Sequence, residues 1–245
     1  MQTRDGQTMW SARQHHDWQR PSFAAGYALA AIPARFALER HRWVQAASLE
    51  PPNADLPWER FLYAPAITSF ANALGSARAG QPERARAALS RLEGIHDALV
   101  KSPVPGPYDW AAQIESMRLA AAAWLAQTEG RREEALRLAR SAADLEDSTG
   151  KHPVTPGAVL PARELLGDLL REAGRPQLAL PEYEASLRQA PNRLNSLYGA
   201  ARSAELSGEP GRARELYAKL LDNLGERAGN REEVKQARDF LSKAK

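Results

Sequence analysis

Four times along the chain a helix-type apolar pattern breaks at a glycine and restarts within a few residues. The breaks read RAGQPERARAAL at Gly80, TEGRREEALRLA at Gly130, EAGRPQLALPEY at Gly174 and LSGEPGRARELY at Gly208. After each glycine comes a proline or an acidic residue, and an alanine stands five positions beyond it, at Ala85, Ala135, Ala179 and Ala213. Glycine ends a helix by taking a left-handed conformation, and proline opens one where no hydrogen bond is lost. The stretch ERHRWVQAASLE around His41 is a degenerate copy without the glycine. A repeated helix–turn–helix unit constrains the chain to a stack of hairpins, each hiding its apolar flank against the next.

The segments between the corners carry helical periodicity. Over 161–173, Ala162, Leu165, Leu166, Leu169, Leu170 and Ala173 form a single apolar stripe. The following helix places Ala179, Leu180, Tyr183, Leu187 and Ala190 on one side and stops at APN; Pro181 within it predicts a bend. No stretch sustains the period-two alternation of a strand. Residues 230–244 predict a capping helix with Val234, Ala237, Phe240 and Leu241 on one face and Lys235, Arg238 and Lys243 outside. Residues 1–21 are polar and aperiodic, a lead expected to be poorly ordered. The expected architecture is an all-α, α-α superhelix over 22–245, a solenoid of about five helical hairpins plus a C-terminal cap.

Residues 160–193 resemble a tetratricopeptide (TPR) repeat. Leu166-Gly167, Gly174, Ala179, Tyr183, Leu187 and Pro191 stand where that family's consensus places them, while Arg163 replaces a usual tryptophan and Ser186 a usual alanine. The unit at 194–227 keeps Gly208, Ala213, Tyr217 and Leu221 but has Ala200-Ala201 for Leu-Gly, and earlier units keep little beyond the turn and its alanine. More narrowly, YALAAIPARFALER, SAADLEDSTGKHPVTPG, LPARELLGDLLREAGRP and LYGAAR resemble the C-terminal half of longer bacterial TPR proteins without a settled biochemical role. Those proteins carry further repeats before this point. The resemblance therefore implies that the Phe23–Leu38 helix presents an apolar face with no neighbour.

In TPR arrays the first helix of each hairpin lines a concave groove that binds peptides. Carried onto this chain, the groove positions include Trp124, then Glu164, Asp168 and Arg171, then Tyr198 and Arg202. Acids at 164 and 168, where the chaperone-tail type of TPR has Lys and Asn, would repel a C-terminal carboxylate. Trp124 and Tyr198 beside Arg202 suit a peptide or protein partner anchored by aromatics.

The rival is an enzymatic or small-ligand site in TGKHPVTPG at 149–157, where Lys151 and His152 would meet Glu146 and Asp147. Pro153 and Pro156 stiffen that loop, which equally suits a joint between hairpins. Asp144, Glu146 and Asp147 sit at the negative end of their helix and need cations; Lys151 and His152 are the expected ones.

Other classes are disfavoured. With 33 basic and 30 acidic side chains the formal charge is only +3, and no basic run is interleaved with aromatics, so nucleic acid is not expected. There is no cysteine, which removes thiolate chemistry and suits the cytoplasm. His15, His16, His41, His96 and His152 show no ligand spacing, and no phosphate-loop, dinucleotide or nucleophile-elbow motif is present. No cofactor, no metal and no membrane span are expected, and the chain reads as a non-enzymatic binding scaffold.

Overall fold

The computed structural model describes residues 23–50, 61–106, 108–149, 158–225 and 229–243. The lead at 1–21 and the pair Lys151 and His152 lie outside the described residues. Eleven helices, and no strand, occur among those described. They pair as α1 (Phe23–Leu38) with α2 (Trp43–Ala47), α3 (Tyr63–Arg78) with α4 (Pro82–Lys101), and α5 (Trp110–Thr128) with α6 (Arg132–Thr149). Next come α7 (Ala162–Glu172) with α8 (Pro176–Gln189), α9 (Leu194–Leu206) with α10 (Pro210–Leu224), and the terminal α11 (Glu232–Lys243). Each helix packs on its hairpin partner and on the first helix of the next pair, and α1, α3, α5, α7 and α9 touch in succession. This ladder of neighbours makes the chain all-α and orders its hairpins as a stack.

The corners share one backbone geometry. Gly80, Gly130, Gly174 and Gly208 have φ of +70°, +80°, +71° and +76°. After them the N–H groups of Gln81, Arg131, Arg175 and Glu209 donate to the carbonyls of Ser76, Ala126, Leu170 and Ala204 at 2.8–2.9 Å. This closure satisfies carbonyls that the helix end would otherwise orphan. The glycine-free copy folds alike: His41 takes φ +53°, and the Arg42 N–H donates to Ala37 O at 2.9 Å. The alanine five residues on is fully buried in all five units, at Ala46, Ala85, Ala135, Ala179 and Ala213.

Small residues set how closely helices approach. A Cβ on Gly75 of α3 would lie 2.6 Å from the Ala47 nitrogen, so α2 rests directly on the α3 backbone. The buried Tyr183 ring lies between Gly167 of α7 and Gly199 of α9, where added Cβ atoms would approach it to 2.9 Å and 2.3 Å. One aromatic of α8 thus sets the distance between α7 and α9. The α8 helix continues through Pro181 to Gln189.

The first helix is apolar on both sides. Tyr27, Ala30, Ala31, Ala34, Ala37 and Leu38 are buried, while Leu29, Ile32 and Phe36 are 42%, 67% and 46% exposed. The exposed face expected on Phe23–Leu38 is therefore present.

Candidate functional site

The residues expected to line a groove lie on α5, α7 and α9, and the structure divides them into two sets. Trp124 and Glu164 are each only 2% exposed. The expectation that they face a partner is corrected: both are interior side chains. Trp124 is covered by Arg78 of α3, whose guanidinium carbon sits 4.1 Å from its ring centre and 4.9 Å from that of Trp43. Arg78 also donates to both carboxylate oxygens of Glu172 at the end of α7, at 2.7 and 2.8 Å. One arginine therefore ties α2, α3, α5 and α7 together.

Glu164 is answered by Arg193, whose Nε and Nη2 donate to it at 2.6 and 2.8 Å, and by the Ser196 hydroxyl at 2.5 Å. Burial raises the Glu164 pKa and the neighbouring Arg193 opposes the rise. Arg193 Nη1 also donates to Glu39 at the end of α1, at 2.6 Å. Asn195 donates to the Glu39 side chain at 3.1 Å, and Arg231 reaches its backbone carbonyl at 3.1 Å. Arg35 of α1 donates to Ala158 O at 2.8 Å. Through these bonds the first hairpin reaches the last ones. A sequence signal for this tie exists in hindsight: Arg193 stands at the N-cap of α9, the positive end of a helix, where a cation needs a carboxylate nearby.

Asp168, Arg171, Tyr198 and Arg202 form the second set, all half-buried on the adjacent helices α7 and α9. Tyr183 donates to Asp168 at 2.6 Å, and Arg171 bonds both Asp168 and the Tyr183 oxygen, at 3.2 and 3.3 Å. Tyr198 donates to Gln236 of α11 at 2.5 Å, while Arg202 pairs with Glu205 at 2.7 Å. Glu205 in turn accepts from the buried Tyr217 at 2.9 Å. In these two hairpins the second helix thus orients an acid on the first. The four groups are held in place, and with Glu205 their charges balance.

The acids at the end of α6 find cations that the sequence reading did not assign. Arg163 of α7 donates to Asp144 at 2.6 Å, to Asp147 at 2.9 Å and to Glu182 of α8 at 2.9 Å. Glu146 accepts the Ala162 N–H at 2.8 Å, so it caps the positive end of α7, where Pro161 offers no side-chain acceptor. Its place at the unfavourable end of one helix is the favourable end of the next. Burial pushes the Glu146 pKa up to about 7, against the Ala162 N–H and the Gln113 side chain, which favour its charge. Of the expected cluster, both acids are engaged with α7, and Lys151 and His152 lie outside the described residues.

Beside this joint, Tyr27, Tyr63, Tyr108, Trp110, Gln113 and Met117 contribute to the wall of a cavity of about 30 Å³. That is room for a water molecule and little more, and no carboxylate among the described residues lines it. Among the described residues no group of three His, Asp or Glu side chains is placed to hold a metal ion. No described helix is long and apolar enough to cross a membrane. In comparison with known proteins, no family model and no curated protein matches the chain.

Proposed function

We propose that the chain is a non-enzymatic interaction scaffold of the tetratricopeptide type, taking a peptide or protein partner on the inner face of its stacked hairpins. The observation that carries this reading is the set Asp168, Arg171, Tyr198 and Arg202. These are polar and aromatic side chains on two touching inner helices, partly open to solvent and fixed by Tyr183, Glu205 and Gln236. Side chains ordered in advance cost little to order again on binding. The ion pairs Asp168–Arg171 and Glu205–Arg202 leave the face without net charge, which suits a mixed polar and apolar segment over a strongly charged tail. A cysteine-free composition fits work in the reducing cytoplasm.

Capture from native lysate tests this, comparing the unaltered chain with Tyr198→Ala/Arg202→Glu at equal helicity. Loss of specific partners from the variant is expected. An unchanged partner set would remove the inner face from consideration.

A further inference from the structure

We infer that the outer face of α1 docks a short amphipathic helix of a partner protein, one that carries carboxylates at the end lying over Arg40 and Arg42. The inference rests on the reading of the chain as a binding scaffold and adds a surface separate from the inner face. Leu29, Ile32 and Phe36 follow one another at the spacing of a helical stripe and are 42%, 67% and 46% exposed. The opposite side of α1 is buried, Tyr27, Ala30, Ala31 and Ala34 among its residues, and the helix packs on α3. Its one charged residue, Arg35, turns to Ala158 O. A helix apolar on all sides is one that is enclosed on all sides when its assembly is complete.

Charge and area select the occupant. At the C-terminal end of the stripe the guanidiniums of Arg40 and Arg42 lie 5.2 and 4.8 Å from the Phe36 ring centre. Neither has an ion pair among the described residues, and the nearest acid in sequence, Glu39, is held by Arg193 and Asn195. The stripe therefore ends in two cations on an exposed aromatic, which a carboxylate-bearing partner would complement. The three apolar side chains expose roughly 300 Å², well short of the about 800 Å² per partner of a stable interface, which points to a small occupant. A second copy meeting here patch to patch would set Arg40 and Arg42 against themselves with no answering acid. Aliphatic Leu29 and Ile32 offer no base-stacking platform, which disfavours nucleic acid. Leu29 to Phe36 spans about two helical turns, a length matching anchors at i, i+3, i+4 and i+7 of a short helix.

Two synthetic helical peptides with the same leucine seam, one ending in glutamates and one in lysines, provide the probe, titrated by fluorescence anisotropy against the full chain. The glutamate peptide is expected to bind more tightly by about fivefold to tenfold. Leu29→Ser/Ile32→Ser should weaken it about tenfold or more, and Arg40→Glu/Arg42→Glu should invert the preference. These side chains are exposed, so unchanged circular dichroism is expected and serves as the folding control. Equal affinity for both peptides, or no binding of either, overturns the proposal. Loss of peptide binding in Tyr198→Ala/Arg202→Glu, with the α1 variants unaffected, overturns it while leaving the inner-face reading standing. A dimer in light scattering that Ile32→Ser dissolves would replace the partner helix with a second copy. Competition by a single-stranded oligonucleotide, lost in Arg40→Glu/Arg42→Glu, would replace it with nucleic acid.

Discussion

Gly199 and Gly208 are close in sequence, yet alanine should fail at the two positions for different reasons. At Gly208 φ is +76° and an added Cβ meets nothing within 4 Å, so the cost is conformational alone. We expect Gly208→Ala to lose about 1–2 kcal/mol in urea denaturation. At Gly199 the added Cβ would lie 2.3 Å from the Tyr183 ring, which is buried and tethered to Asp168. There the expected loss is about 3 kcal/mol, and part of it should return when Tyr183 is also shortened to leucine, a coupling that Gly208→Ala lacks. Glu146 gives a residue-scale prediction in pH. Its folded pKa of about 7 lies above the ordinary carboxyl value, so the native state holds its proton more tightly than the unfolded one. Its contribution to stability is complete below pH 4.5 and is lost as pH rises through 7. Glu146→Gln keeps an acceptor for the Ala162 N–H and removes the titration. Relative to the unaltered chain, its melting temperature should rise between pH 5 and 8, with a change on the order of 2–3 kcal/mol.

At the scale of elements, legibility followed locality. The corners at Gly80, Gly130, Gly174 and Gly208 were readable because a left-handed residue, a restart and a buried alanine are written within a few positions. The His41 corner was readable as a copy, although its residue pays the steric cost that glycine avoids. What could not be read was which charge answers which, because ion pairs join positions that only the stacking brings together. Asp144 and Asp147 were expected to find Lys151 and His152, which lie outside the described residues; the cation the structure does bring to both is Arg163, across the joint. Trp124 had the position of a groove aromatic, but Arg78 from the preceding hairpin covers it. Arg163 should therefore be the pin of the α6–α7 joint. Arg163→Ala takes the shared cation from Asp144, which is 61% exposed, from Asp147, which keeps Gln189, and from Glu182. It should cost about 1–2 kcal/mol, most of it at Glu182, with faster amide exchange at the start of α7. Arg163→Lys should recover little, since one ammonium cannot serve three acceptors spread around a planar fork.

Over the whole molecule, the stack is joined by ties that skip several hairpins. Arg193 is central to them, with 13% of its side chain exposed while bridging Glu39 of the first hairpin and Glu164 of α7. Arg193→Ala leaves Glu164 buried without a cation and is expected to cost about 3–5 kcal/mol. Adding Glu164→Leu should restore much of that, and would separate the burial penalty from the tie to α1. If the first hairpin is held against the start of α9, one distance reports it. The chain has no cysteine, so spin labels can be placed cleanly at Arg40→Cys and Asn192→Cys, both exposed and flanking the Glu39–Arg193 pair. Double electron–electron resonance should give a single short, narrow distance that broadens and lengthens in Arg193→Ala. A broad, long distribution in the otherwise unaltered chain would contradict a stack closed from its first hairpin onto its last.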